Sequence, residues 1–457
     1  MSLEISPLDG RYRERVGHLG SYFSEFALMS ARVRVELDYA EALERTGLWK
    51  SLSVEERARI ERLRRDFGEK EFRRIKELEG QTRHDLKACE LFLREALSLR
   101  EPNRIHFGIT SEDVNNLAYS ALFREFVQRE LLPQVKKLVA GLCDRAQLWA
   151  DAPFPTRTHG QRATPSTAGK ELAVFVSRLT RHGKVLASFR FAGKMNGATG
   201  TYGAMVAASP GFDWVSFCEG FVRELGFEPN PITTQIEDHD RWAELFDLVR
   251  RLANVVLDLD RDLWSYLSLG WFQETAEGGQ VGSSTMPHKV NPIHFENSEG
   301  NLELAVAMLS AMGDKLTRSR MQRDLSDSTV TRNVGVALSH VWMALDETIR
   351  GLARIELNQA RCLADLEDGP EVLAEPIQSI LRVSGVSEDP YELLRSFTRG
   401  RRVSREDLME LVGTLPLDEE LGRRISDLRA RHYVGAAPDL CRRAIETARR
   451  EFLGVDP

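Results

Sequence analysis

The sequence predicts an all-α protein, and three observations point there. Eight segments, 21–47, 53–79, 85–99, 117–149, 167–190, 241–272, 293–313 and 333–356, carry apolar side chains at three- and four-residue spacing among strong helix formers. Runs that alternate apolar and polar residues, as half-buried strands do, are nearly absent. Within 241–272, Leu245, Val249, Leu252, Val256, Leu259, Leu263 and Tyr266 step alternately by four and three, which makes a heptad seam. Leu248, Val255 and Leu267 widen its apolar face, so this helix is expected to pack against more than one neighbour. A helix of about thirty residues spans about 45 Å, more than one core needs. Long helices with wide apolar faces predict a central bundle completed by other subunits, as in a homotetramer.

In chain order, the helix near residue 85 has Asp85 as its candidate cap, with the helix running from Leu86. The SEDVNN stretch opens another at Thr110-Ser111. Breaks at Glu101-Pro102-Asn103 and around Asp368-Gly369-Pro370 divide the chain into an N-terminal helical domain (1–110), a central long-helix domain (111–360) and a C-terminal helical domain (361–457). Between the long segments lies a polar stretch, 278–292, bounded by the Gly278-Gly279 pair and interrupted by Pro287 and Pro292. Such a loop is where a mobile active-site lid is expected.

Composition narrows the function classes. A chain of 457 residues with 42% hydrophobic content can bury a sizeable core. Its formal charge of −7 argues against a nucleic-acid surface, so any anionic ligand must meet a locally positive pocket built from separated Arg and Lys. Cys89, Cys143, Cys218, Cys362 and Cys441 are scattered, without CxxC or metal-ligand spacing, and read as reduced packing thiols of a cytoplasmic protein. The charged start MSLEISPLDGRYRERV lacks the apolar run of a signal peptide, and no stretch predicts a membrane span. Glycines between Gly193 and Gly203 surround Lys194 and Asn196, but without GKT or GKS or a preceding strand they do not predict a nucleotide-triphosphate site.

Residues 282–292 read GSSTMPHKVNP. This stretch resembles the signature loop of the fumarase/aspartase superfamily, whose members release fumarate from succinyl compounds by anti β-elimination. With eight positions matched at roughly one in twenty each, chance agreement is on the order of 10⁻¹⁰. His288 after Met-Pro, with Lys-x-Asn-Pro following, is similar to the branch that splits succinylamino purine ribotides. ISPLDGRY (5–12), QTRHD (81–85), GITSEDVNN (108–116), TRTHGQRATP (156–165), TTQIEDHD (233–240) and QRDLSDSTVTRN (322–333) fall in that branch's order.

Such an elimination needs a base for a C–H beside a carboxylate, an acid for the leaving nitrogen, and cations for the dianionic intermediate. Taken alone, Ser283 and Ser284 read as turn serines that satisfy loop amides. The resemblance makes Ser283 the base, aided by Lys289 and loop amides that favour its alkoxide, and Ser284 a carboxylate ligand. His159 in RTHGQ, alone a hydrogen-bonded structural residue of a Gly/Thr loop, becomes the general acid. Arg162 stands where a proline is usual, which bears on the rigidity of that loop.

The resemblance places His84 on the substrate phosphate or in support of His159, with Arg83 and Asp85 beside it. Thr110 and Ser111 become carboxylate ligands at a helix N-terminus, Gln235 a partner of the succinyl group, and Met286 and Asn291 loop contacts to substrate. Arg11, Tyr12, Arg323, Ser328 and Arg332 become the phosphate set, with Ser328 and Arg332 on one helical face. Arg318 and Arg320 read as surface charge. No cofactor or metal is implied. Two alternatives remain: another fumarate-releasing superfamily lyase, such as one acting on argininosuccinate, and a catalytically silent helical scaffold.

Overall fold

Helices form where the spacing predicts them, and caps and breakers set their ends. The computed structural model describes residues 3–275, 286, 290–398 and 403–455. Ser24, in extended backbone, accepts from the Ala27 amide at 3.1 Å, so the first long helix is Glu25–Ala42 rather than 21–47. The segment expected as one helix over 53–79 is two, Val54–Asp66 and Glu69–Thr82. Phe67 leaves helical backbone (ψ 117°) and Gly68 is extended, so the chain turns between them.

The next expected helix begins earlier than 117. It runs as Ser111–Phe126, a wide π turn Val127–Leu131, and Leu132–Leu148. Pro133 explains the irregular turn: it has no amide hydrogen for the carbonyl four residues back, and its ring crowds that carbonyl. Ala168–Ala187, Asp240–Ser268, Ile293–Leu316 and Val334–Arg354 lie close to their expected bounds. Strand is confined, among the described residues, to three two-stranded pairs: Pro153–Thr158 antiparallel to Gln161–Thr167, Ala192–Gly193 parallel to Glu228–Pro229, and Phe272–Glu274 antiparallel to Ile355–Leu357.

The chain packs into two units. One comprises Met1–Gln134, Val185–Asn254 and Gly300–Ala344; the other comprises Val135–Lys184, Val255–Glu299 and Leu345–Pro457. Their five boundaries fall inside the Leu132–Leu148, Ala168–Ala187, Asp240–Ser268, Ile293–Leu316 and Val334–Arg354 helices. The second unit includes a satellite core of Leu373, Ile377, Leu381, Leu394, Val403, Leu408, Val412 and Ile425. No described helix is long and apolar enough to cross a membrane.

The seam of the Asp240–Ser268 helix is filled within the chain. Leu245, Val249, Leu252, Val256, Leu259 and Leu263 are each 0% exposed within a single chain, and Tyr266 is half-buried. The chain therefore covers this seam itself, and a subunit bundle would have to use another face. Asp260 lies beside the seam, fully buried, and accepts from the Thr348 hydroxyl at 2.9 Å. Burial pushes its carboxyl well above the ordinary range, against the lowering by the Ser298 and Thr348 hydroxyls.

Leu252→Ala removes side-chain volume at the middle of a fully buried seam and should destabilise the fold by about 2–5 kcal/mol. A fall in the thermal unfolding midpoint, with helical content unchanged at low temperature, is the expected result.

Candidate active site

Several of the sequence-predicted residues lie in the first unit, beginning with His84. The expected cap, Asp85, is replaced by His84: the helix is Asp85–Leu97, and His84 Nδ1 accepts from the Lys87 amide at 3.2 Å. With Nδ1 occupied as an acceptor, a neutral His84 carries its proton on Nε2. The side chain is 56% exposed, so that nitrogen can donate to a ligand. Arg83, in left-handed backbone (φ 53°), closes the preceding helix and is exposed. Relieved of capping, the Asp85 carboxylate pairs with Arg32 Nη2 at 2.9 Å. Burial alone would raise the Asp85 carboxyl, but Arg32 and the Leu86 amide outweigh it and hold it low.

Thr110 is the N-cap of the Ser111–Phe126 helix, whose free amides and dipole favour an anion. The Ser111 hydroxyl has no hydrogen-bond partner among the described residues and is half-buried. The approach to this helix is a tight turn. His106 (φ 59°) and Gly108 (φ 70°) both take left-handed backbone, and a Cβ on Gly108 would lie 2.6 Å from Met205 Cγ. Two residues of the Glu25–Ala42 helix hold this turn: the Tyr39 hydroxyl donates to the Phe107 carbonyl at 2.9 Å, and Glu36 Oε1 lies 2.5 Å from His106 Nδ1. Burial would lower the His106 pKa, but the hydrogen bond and charge of Glu36 outweigh it and raise it.

Asp113, fully buried, joins this helix to the glycine-rich stretch. It accepts from the Thr110 amide at 2.8 Å, the Asn196 amide at 3.0 Å and the Gly197 amide at 3.1 Å, and pairs with Lys194 Nζ at 2.9 Å. Lys194, also 0% exposed, donates to Asn196 Oδ1 and the Gly197 carbonyl, so its charge is compensated internally. The Ala198 carbonyl then accepts from Gln235 Nε2 at 3.0 Å, and Gln235 Oε1 accepts from Arg323 Nη1 at 3.2 Å. Arg323 Nη2 pairs with Glu112 Oε1 at 2.9 Å, and its buried Nε has no hydrogen-bond partner among the described residues. Burial raises the Glu112 carboxyl, with Arg323 and Asn115 acting in the opposite direction. The structure thus brings Gln235 and Arg323 into direct contact, although the resemblance assigns them to opposite ends of a substrate.

Ser328 lies in the short Ser326–Thr331 helix, its hydroxyl donating to the Leu325 carbonyl at 2.9 Å, and Arg332 is the exposed C-cap. Burial raises the Tyr119 phenol, with the charges of Arg32 and Arg332 acting in the opposite direction. Arg11 is exposed and Tyr12 half-buried. Arg318 and Arg320 are exposed, as surface charges should be.

His159 lies in the second unit, not in a plain loop but at the tip of a hairpin. Thr158 pairs with Gln161, leaving His159 (φ 51°) and Gly160 (φ 75°) as a two-residue turn with both residues left-handed. Residues 157–161 are exposed. Arg162, where proline was the usual residue, donates to the Asp368 carbonyl and carboxylate at 2.7 Å each, and so anchors the returning strand. Ser283, Ser284 and Lys289 lie outside the described residues. Met286 is exposed and Asn291 half-buried.

Comparison with known proteins identifies the chain's relatives. It is 44% identical over 444 residues to a protein of Haemophilus influenzae named adenylosuccinate lyase, covering 95% of this chain and 97% of that one. The Escherichia coli protein of the same name is 43% identical over 441 residues, covering 95% and 96%. The chain belongs to the adenylosuccinate lyase family. A family model described as lyase matches residues 10–307, and one described as adenylosuccinate lyase C-terminal matches residues 319–434. Among solved structures, a fumarate lyase from a Mesorhizobium species has the same fold, with TM-score 0.76, 20% identity and coverage of 94% and 97%. A 3-carboxy-cis,cis-muconate lactonizing enzyme from Pseudomonas putida aligns with TM-score 0.73 at 21% identity, covering 95% and 97%. The chain is therefore a lyase with the all-α fumarase/aspartase fold.

Reading the sequence did not single out His106, Glu36, Arg32, Glu112 or Asn115. Their pairings cross tens of residues, and nothing in local spacing signals them. One family segment, IEDHD, also carries an unusual carboxyl: Glu237 is 2% exposed, and burial pushes it up to about 7, against the hydrogen bond from Asn230. A carboxyl raised on folding binds its proton more tightly in the native state, so stability falls as pH rises from about 4.5 toward about 7. Glu237→Gln should remove that fall and leave the variant more stable than the parent at pH 8 by about 1–3 kcal/mol. Denaturant melts at pH 5 and pH 8 read the difference.

Proposed function

We propose that this chain cleaves adenylosuccinate to AMP and fumarate, and that it also releases fumarate from the succinylated aminoimidazole carboxamide ribotide. The end-to-end likeness to relatives named adenylosuccinate lyase carries this reading. The two substrates share a succinylamino group and a ribose phosphate, so one pocket can serve both. Ser283 takes the Cβ proton, its electron pair forms the new double bond as the C–N bond breaks, and His159 protonates the departing amine. Lys289 favours the ionised Ser283.

Thr110, Ser111 and Ser284, with Gln235, Met286 and Asn291, hold the succinyl end. Arg11, Tyr12, Ser328 and Arg332 hold the phosphate, with His84 donating from Nε2 and Arg83 and Asp85 flanking it. Arg323 keeps one unpartnered buried donor for the ligand while it orients Gln235. No cofactor enters this scheme. The internal burial of all five cysteines fits a reducing, cytoplasmic setting. A homotetramer completes the site, because the exposed, left-handed tip at His159 is suited to reach a neighbouring subunit.

Purified protein mixed with adenylosuccinate should release fumarate, read by its ultraviolet absorbance; no release would refute the reading. Ser283→Ala should lower turnover by several orders of magnitude with nearly unchanged substrate affinity. Arg332→Ala should weaken binding of AMP by about 10–100-fold but leave adenosine binding nearly unchanged, since only AMP supplies a phosphate partner. Equal losses for the two ligands would assign Arg332 to folding instead. Mixing inactive His159→Ala with inactive Ser283→Ala subunits should restore part of the activity once subunits exchange. Tagged hybrids that form and stay inactive would exclude a shared site while leaving the lyase reading intact.

A further inference from the structure

We propose that Arg32 is a positioning residue of this lyase site, coupling the turn that presents His84 to the helix that starts at Ser111. The inference rests on the function proposed above. Arg32 lies in the middle of the Glu25–Ala42 helix and is 5% exposed, and Met29, Val33 and Leu37 of the same helix are buried too. A guanidinium in such surroundings is tolerated only when its donors are matched by good acceptors. Its fork meets two: Nη2 lies 2.9 Å from Asp85 Oδ2, and Nε donates to Asn115 Oδ1 at 2.9 Å.

Those acceptors sit one residue after His84 and four after Ser111. A planar fork fixes the angle between its partners as well as their separation, which a lysine ammonium cannot do. From Asn115 the link continues, because its Nδ2 donates to Glu112 Oε1 at 2.7 Å and Glu112 pairs with Arg323. Charges therefore alternate along the path Asp85, Arg32, Glu112, Arg323, with Asn115 bridging the middle. Glu36 and Tyr39, four and seven residues beyond Arg32, hold the His106 turn from the same helix face.

One face of one helix thus fixes both the His84 side and the Thr110–Ser111 side of the site. Arg32 need not touch substrate; it acts through the placement of groups that do. Misplacing such groups slows the chemical step more than it weakens binding.

The test uses the full-length protein and adenylosuccinate, with Arg32→Lys, Arg32→Met, Asp85→Asn and the double Arg32→Met/Asp85→Asn. Fumarate release gives kcat and KM for each, and thermal unfolding reports the fold. Arg32→Lys and Arg32→Met should each lower kcat by about tenfold or more, with KM within about threefold and the unfolding midpoint within a few degrees. The double variant should be no slower than Arg32→Met alone, because both changes cut the same link. If Arg32→Met does not fold, Asn115→Ala cuts the link while leaving both charges in place, and should show the same fall in kcat.

Wild-type kcat in Arg32→Lys, or losses that multiply in the double variant, would overturn the proposal. Activity that falls only in proportion to folded protein would overturn it too. A parent protein that releases no fumarate would instead overturn the functional reading, so the two failures are distinct.

Discussion

The compensated charge of Asp113 is the constraint on which the first unit depends. A carboxylate with no solvent exposure is stable only if its oxygens are fully engaged, and here three backbone amides and the Lys194 ammonium engage them. The three amides come from the Thr110 cap and from Asn196-Gly197, segments more than eighty residues apart in sequence. One buried ion pair thereby welds a helix N-terminus to a glycine-rich turn. Everything later in the path, from Ala198 to Gln235 to Arg323, takes its position from that weld.

Around this centre the polar groups are arranged in alternating charge. Arg323 is balanced by Glu112, Asp85 by Arg32 and His106 by Glu36, so the charges of this region are paired without a large field of one sign. Asp85 is itself held by the Leu86 amide and Glu112 by the Asn115 side chain, so Arg32 and Arg323 keep their direction. Tight internal pairing also preorganises: less rearrangement is needed when an anionic ligand arrives.

The second unit solves a different problem. His159 is carried on a two-residue hairpin whose backbone is left-handed at both positions, and the returning strand is tied down by Arg162 to Asp368. Exposure at the tip is compatible with an imidazole offered outward rather than packed. Meanwhile the heptad seam of the Asp240–Ser268 helix is filled by the chain itself, and beside it burial pushes the Asp260 carboxyl well above the ordinary range.

Periodicity alone determined that the chain is helical, because apolar faces recur every three to four residues wherever a helix must bury one side; the long helices and the apolar seam were legible this way, and the cap pattern at Thr110-Ser111 marked the start of one helix. Motif order placed Gln235, Arg323, Thr110 and His84 among the site candidates. Tertiary structure decided what local pattern does not encode. His84 rather than Asp85 caps the helix at 84–85, and Asp85 pairs instead with Arg32 from a distant helix; the break at Gly68 and the π turn before Pro133 depended on backbone geometry; the burial of the seam depended on neighbours distant in sequence. Arg32, Glu112 and Lys194 look like ordinary charged residues in a helix or loop until folding brings their partners across, because the strength of a charge pair is set by distance and burial, and neither is a property of the linear sequence.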